Sequence, residues 1–243
     1  MKKIIIRTTV FMSLATLLLT PLAAQTAADI LAKMIEAQGG RKALEAVVDW
    51  TTSGTFELVQ FGMQGSIVMY QKEPNLMRMD MDIQGFQMTQ AFDGQNGWAT
   101  NPQTGAVETM SELQNADMKR QSLGNAALLA PETLGISYEL QGRETLNGKE
   151  HWVLVQKFND GHSSILYVDP ETHLPYKSKS KGHDMMGAEV ESETIMTDYR
   201  SIDGFPVAHS MVIFQNGAEF IRISLTSVKL NGGLDESLFK MNR

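Results

Sequence analysis

Apolar and polar residues alternate through most of this chain in short runs, and turn dipeptides separate the runs. Trp50, Thr52, Gly54, Phe56 and Leu58 fall on one face of an extended segment, with Thr51, Ser53, Thr55 and Glu57 on the other. Residues 65–72 alternate again, and Pro74-Asn75 marks a turn. Met77, Met79, Met81 and Ile83 then share a face opposite Arg78, Asp80 and Asp82. Gln84-Gly85 leads into Phe86, Met88, Gln90 and Phe92, and Asp93-Gly94 precedes Trp98. Later runs at 137–142, 151–158, 163–169, 176–181, 189–199, 207–215 and 218–230 are punctuated by Asn147-Gly148, Asp160-Gly161, Asp203-Gly204 and Asn216-Gly217. Turns this short join antiparallel strands, because parallel pairing needs longer crossovers. A meandering sheet of roughly ten or eleven strands follows.

Two segments depart from this period. Thr26 and Asp29 have capping-box spacing ahead of Ile30, Leu31, Met34 and Ile35, and Gly39-Gly40 ends the run, so helix is expected within about 27–48. Between about 111 and 134, Leu113, Met118, Leu123, Leu128 and Leu129 recur at helical spacing up to Pro131. The fold class is therefore α+β. A long sheet must twist and curl, so the expected form is a strongly curved, incomplete barrel with the helices on its concave face. No linker or charge run divides it, and residues 25–243 read as one domain. The interior is either a filled core or a cavity for a lipid or small molecule.

The first residues have another purpose. Lys2, Lys3 and Arg7 precede an apolar run from Val10 to Leu19, and small residues follow at Ala23-Ala24. This is the order of a secretory signal peptide, with cleavage near Ala24 or Gln25. The run is shorter than the about 20 residues a membrane-spanning helix needs. The full-length chain carries a formal charge of −7, and losing this segment removes three cations and no acid. An acidic, exported protein that does not span the membrane is expected, in the periplasm and without nucleic acid as a partner. The absence of cysteine excludes thiolate metal sites, catalytic thiols and disulfides.

Chemistry-bearing patterns are weak. His151, His162, His173, His183 and His209 lack helical metal-ligand spacing. Neither a nucleophile elbow nor a phosphate loop is present, and Asp80 and Asp82 beside Arg78 read as a solvated face. A non-catalytic protein without metal or cofactor is expected. Methionine is the more informative residue: of sixteen, Met63, Met69, Met77, Met79, Met81 and Met88 gather in one stretch of strands. Their flexible thioethers suit either a variable apolar ligand or an ordinary core.

The order of residues in that stretch is more specific. It runs Gly65-Ser66-Ile67-Val68-Met69-Tyr70-Gln71-Lys72-Glu73-Pro74-Asn75, then Phe92-Asp93-Gly94 and Trp98. With Tyr167-Val168-Asp169, Leu174-Pro175, Asp198-Tyr199-Arg200, Asp203-Gly204-Phe205-Pro206 and the closing 234–239, it resembles the periplasmic carriers of outer-membrane lipoproteins, the LolA family, and their exported lipid-binding relatives. The resemblance implies a half-barrel enclosing an apolar cavity for acyl chains, each buried methylene contributing about 0.8 kcal/mol. It also implies a lipid or lipidated protein as cargo and inner- or outer-membrane envelope proteins as exchange partners. Met77, Met79, Met81, Phe86, Met88, Phe92 and Trp98 would line the cavity, and Leu113, Met118, Leu123, Leu128 and Leu129 would belong to the lid. Where the carriers place an arginine before the Pro-Asn turn, this chain has Glu73, and it ends at Arg243, soon after Phe239. A relative that carries or senses another amphiphile fits these departures, as does a non-catalytic envelope interaction module whose half-barrel is filled.

Overall fold

A computed structural model describes residues 25–184 and 186–241, and the expected signal peptide lies outside the described residues. The chain opens with α1 (Ala27–Ala37) and α2 (Arg41–Ala46). Thr26 caps α1 by accepting from the Asp29 amide at 3.2 Å, while the Asp29 carboxylate accepts from the Thr26 amide at 2.8 Å. Six strands follow: β1 (Asp49–Leu58), β2 (Met63–Lys72), β3 (Leu76–Ile83), β4 (Phe86–Phe92), β5 (Gly97–Thr100) and β6 (Val107–Thr109). The helices α3 (Glu112–Gln121) and α4 (Ala126–Leu129) interrupt them, α3 behind a capping box of Ser111 with Gln114. Seven more strands complete the chain: β7 (Ile136–Leu146), β8 (Lys149–Phe158), β9 (Ser163–Val168), β10 (Pro175–His183), β11 (Glu189–Ile202), β12 (Phe205–Gln215) and β13 (Ala218–Leu230). No helix among the described residues is long and apolar enough to cross a membrane.

All thirteen strands form one antiparallel sheet, in the order β6-β5-β4-β3-β2-β1-β13-β12-β11-β10-β9-β8-β7. This corrects the expected ten or eleven: β5 and β6 hold four and three residues, too few for a period to show. It also corrects the simple meander. The helical insertion separates β6 from β7, which become the two edges, and β1 pairs with β13 to join the halves.

One helix reveals the curvature. Asn115 of α3 accepts from the Gly97 amide at the start of β5, and Asp117 accepts from the His183 amide at the end of β10 at 2.7 Å. In a flat sheet, strands eight steps apart lie about 38 Å from one another at the usual spacing, whereas a ten-residue helix is only about 15 Å long. The sheet is therefore open and strongly bent.

Following the register across the sheet defines its faces, since directly paired residues share one. Leu154, Leu166, Ser178, Thr194, Ile213, Ile221 and Leu58 form one continuous row. Ile30 and Met34 of α1 pack on Leu154 and Val168 of this face. The opposite face carries an ion-pair ladder between β10 and β11, with Lys177 and Lys179 facing Glu191 and Glu193.

Candidate functional site

On the face that bears the helices, the strands β1 to β4 present a methionine-rich surface. Met69 pairs with Met79 and Met79 with Gln90, while Ile67 pairs with Met81 and Met81 with Met88. Met77 stands beside Gln71 and Phe92, and Ile83 beside Phe86. Beside them on the same face, Phe56 and Ile67 are buried in a cluster with Ile221, Ile223 and Leu225, against which Met69, Met79 and Met81 pack. Gly65 makes this packing possible. A Cβ there would lie 2.9 Å from the Phe56 ring and 2.1 Å from the Asp82 carbonyl oxygen, so only glycine fits.

Among the expected lining residues, Met77, Met79, Met81 and Met88 are half-buried. Phe92 is fully enclosed and behaves as core, whereas Phe86 stands 45% exposed at the end of the sheet. Trp98 requires a correction. It pairs with Ala91, not Phe92, and so stands on the opposite face with Arg78. There its indole Nε1 donates to the Phe239 carbonyl at 2.8 Å, and the Arg78 guanidinium lies 5.6 Å from its ring. Arg78 also donates to Asp80 at 2.9 Å and to the Leu238 carbonyl at 2.8 Å, fastening the C-terminal turn over the outer face. An open depression of about 260 Å³ beside it is lined by Ser66, Arg78, Asp80, Asp82 and Thr89.

The insertion residues divide in the same way. Met118 is buried, Leu123, Leu128 and Leu129 are half-buried, and Leu113 is 60% exposed. Leu128 packs on the cluster around Ile30 and Leu154. Glu73 pins this insertion. Its carboxylate accepts from the Asn125 amide at 2.7 Å, and a Cβ on Gly124 would lie 2.1 Å from its Oε1. Burial raises the Glu73 pKa above its ordinary value, against the lowering effect of the Asn125 and Ala126 amides.

Farther along the same face the surface becomes polar. Gln156, Ser164, Ser180 and Ser192 form a row, with Ser178 and Thr194 in the next. Ser164 donates to Gln156 at 2.9 Å, Gln156 to the Tyr138 hydroxyl at 2.8 Å, and Tyr138 to the Ala127 carbonyl at 3.2 Å. A depression of about 100 Å³ lies over this row, bounded by Asp117, Arg120 and His162. Arg120 bridges Asp117 and Asp160, and Asp117 also accepts from His183 Nδ1 at 2.7 Å. Burial, then Arg120, lowers the His162 pKa.

Other buried polar groups are occupied structurally. The Asp49 carboxylate accepts from the amides of Gly232, Gly233 and Leu234 at 2.6, 3.0 and 3.1 Å. His151 Nδ1 lies 3.0 Å from the Lys149 carbonyl, and His209 Nδ1 lies 2.8 Å from that of Val207. Among the described residues, no three His, Asp or Glu side chains gather as a metal site. Asp49 and Asp117 escape sequence reasoning because their partners are distant amides and side chains. The only local trace is Arg120, one helical turn after Asp117.

No family model matches the chain, and neither does any curated protein. Solved structures do. A DUF1329 family protein from Desulfovibrio piger is 15% identical, with a TM-score of 0.59, over 87% of this chain and 95% of that one. A LolA superfamily protein from Nitrosomonas europaea is 16% identical, with a TM-score of 0.57, over 90% and 99%. A proposed outer membrane lipoprotein-sorting protein domain from Vibrio parahaemolyticus is 15% identical, with a TM-score of 0.55, over 86% and 97%. At this level of identity the likeness is one of fold, and the fold of this chain is the one found in LolA superfamily and lipoprotein-sorting structures.

Proposed function

We propose that this chain is a non-catalytic periplasmic carrier or binding protein that takes the acyl chains of a lipid or lipidated protein against its methionine face. The observation that carries the reading is the set Met77, Met79, Met81 and Met88, half-buried side by side next to the buried cluster of Phe56 and Ile67. Such a surface is apolar and deformable, and it gains free energy when methylene groups displace water from it. In this reading residues 25–243 act as one domain after signal cleavage, and α1, α3 and α4 form a lid over the concave face. The contacts of α3 with both β5 and β10 support that placement. Fold likeness to a LolA superfamily protein and a proposed lipoprotein-sorting domain agrees with it. Occupation of Asp49, Asp117, His151 and His209 by structural hydrogen bonds favours binding over catalysis.

Phe92, fully enclosed on the same face, favours a second reading in which the half-barrel is filled and the chain is an envelope interaction module. Titration of the mature protein with a fluorescent fatty-acid probe separates the two. The first reading predicts saturable binding that Met79→Glu weakens about tenfold or more, since a buried charge opposes acyl burial. An unbound probe sinks the first reading and leaves the second.

A further inference from the structure

Six hairpins close one end of the sheet, in the spatial order β5–β6, β3–β4, β1–β2, β12–β13, β10–β11 and β8–β9. The connections of the first four, at 101–106, 84–85, 59–62 and 216–217, contain no charged residue. Those of the last two carry Asp184 and Asp160. Phe61 in the β1–β2 connection is 64% exposed, and Phe86, leaving the neighbouring β3–β4 turn, is 45% exposed. At the other end of the sheet, the connections at 73–75, 93–96, 169–174 and 203–204 carry acids, and only that at 147–148 is uncharged.

We propose that the uncharged rim carrying Phe61 and Phe86 seats at the interface of a zwitterionic lipid bilayer, delivering the open end of the methionine face to the lipid. Three observations select a lipid surface. The exposed aromatic side chains stand at two separate points of the rim, Phe61 in the β1–β2 connection and Phe86 at the start of β4, as interfacial anchors do. Charge begins just below the tips. Arg222 is held by Glu57 at 3.3 Å and by Glu219, and Asp82 accepts from the Gly85 amide at 2.8 Å, which sets charged groups at headgroup depth. The rim also offers no unpaired cation among the described residues, and the chain is net negative, so attraction to anionic lipid cannot drive the contact. Phe86 pairs with Ile83 on the face of Met81 and Met88, so the rim runs into the proposed acyl surface. The proposal rests on the acyl-binding reading above, for that continuity is what gives the rim its use.

The test is sedimentation of the mature chain with phosphatidylcholine vesicles at low and high salt, beside Phe61→Ser and Met79→Glu. The wild type is expected to sediment with the vesicles equally at both salt concentrations. Phe61→Ser is expected to partition about fivefold less, having lost the more exposed aromatic anchor, while binding a soluble fatty-acid probe as the wild type does. Met79→Glu should show the reverse pattern. A wild type that stays in the supernatant overturns the proposal, including the case where the rim receives a protein. So does a Phe61→Ser variant that sediments unchanged or that loses probe and vesicle together. Vesicle binding without any uptake of probe supports the rim and defeats the acyl reading, so the two failures are distinguishable.

Discussion

One face of one sheet is built in two ways. Across β1 to β4 it presents Met, Ile and Phe, and across β8 to β11 it presents Gln156, Ser164, Ser178, Ser180, Ser192 and Thr194. The polar part spends its hydrogen bonds on itself, through the relay from Ser164 by way of Gln156 to Tyr138, and it lies beneath the Asp117–Arg120 pair of α3. The methionine part has no such claims upon it. Its methionines are half-buried, packed against Phe56, Ile67, Ile221 and Ile223 on the same face. The difference leaves an apolar surface on one part of the face and the attachment of the helices on the other.

Substitutions can break or sharpen that contrast. The largest effect is expected for Phe56→Ala, which empties the buried cluster beside the methionines and should cost about 3–5 kcal/mol in chemical unfolding. A loss below about 1 kcal/mol would show that this cluster is not packed as described. On the polar part, Asp117→Ala leaves Arg120 and the His183 amide without their buried acceptor and should cost about 3 kcal/mol, read by the same unfolding curve. Acyl-probe binding by the protein that remains folded should be unchanged. A loss of binding in proportion to stability would merge the two parts into one.

Glu73 gives a smaller, pH-dependent effect. Its folded pKa is raised, so the folded state holds its proton more tightly than the unfolded chain does. The contribution of Glu73 is fully present below its ordinary value near 4.5 and is lost as pH rises through the raised value. Glu73→Gln keeps an oxygen for the Asn125 amide and removes the buried charge. Its Tm relative to wild type should therefore be higher at pH 7 than at pH 4, and a difference that does not change with pH would contradict the burial of this carboxylate. The smallest effect is expected on the outer face, where Lys179→Ala opens a partly exposed ladder to Glu191 and Glu193 and should change stability by at most about 1 kcal/mol. Probe binding should be untouched.

Much of this was legible in the local pattern. Alternation placed Met77, Met79 and Met81 on one face of β3, and Asn216-Gly217 marked the hairpin between β12 and β13, because both signals act over a few residues. Pairing of β1 with β13 has no local signature, since its partners are brought together only by the completed sheet. Trp98 was misplaced for a definite reason. The 93–96 turn sets Phe92 opposite Gly97, and one residue of register moves the indole to the other face. The attachment of Glu73 to the insertion was equally invisible, since the donor amide is at Asn125 and the space comes from Gly124.

The central claim is that acyl chains occupy the methionine face. Native mass spectrometry of the mature protein, isolated from the cell envelope without detergent, tests it most directly. A reproducible added mass, removed by organic extraction, identified as lipid and missing from Met79→Glu, is the predicted result. A bare polypeptide that also refuses added phospholipid and lipidated peptide would contradict it.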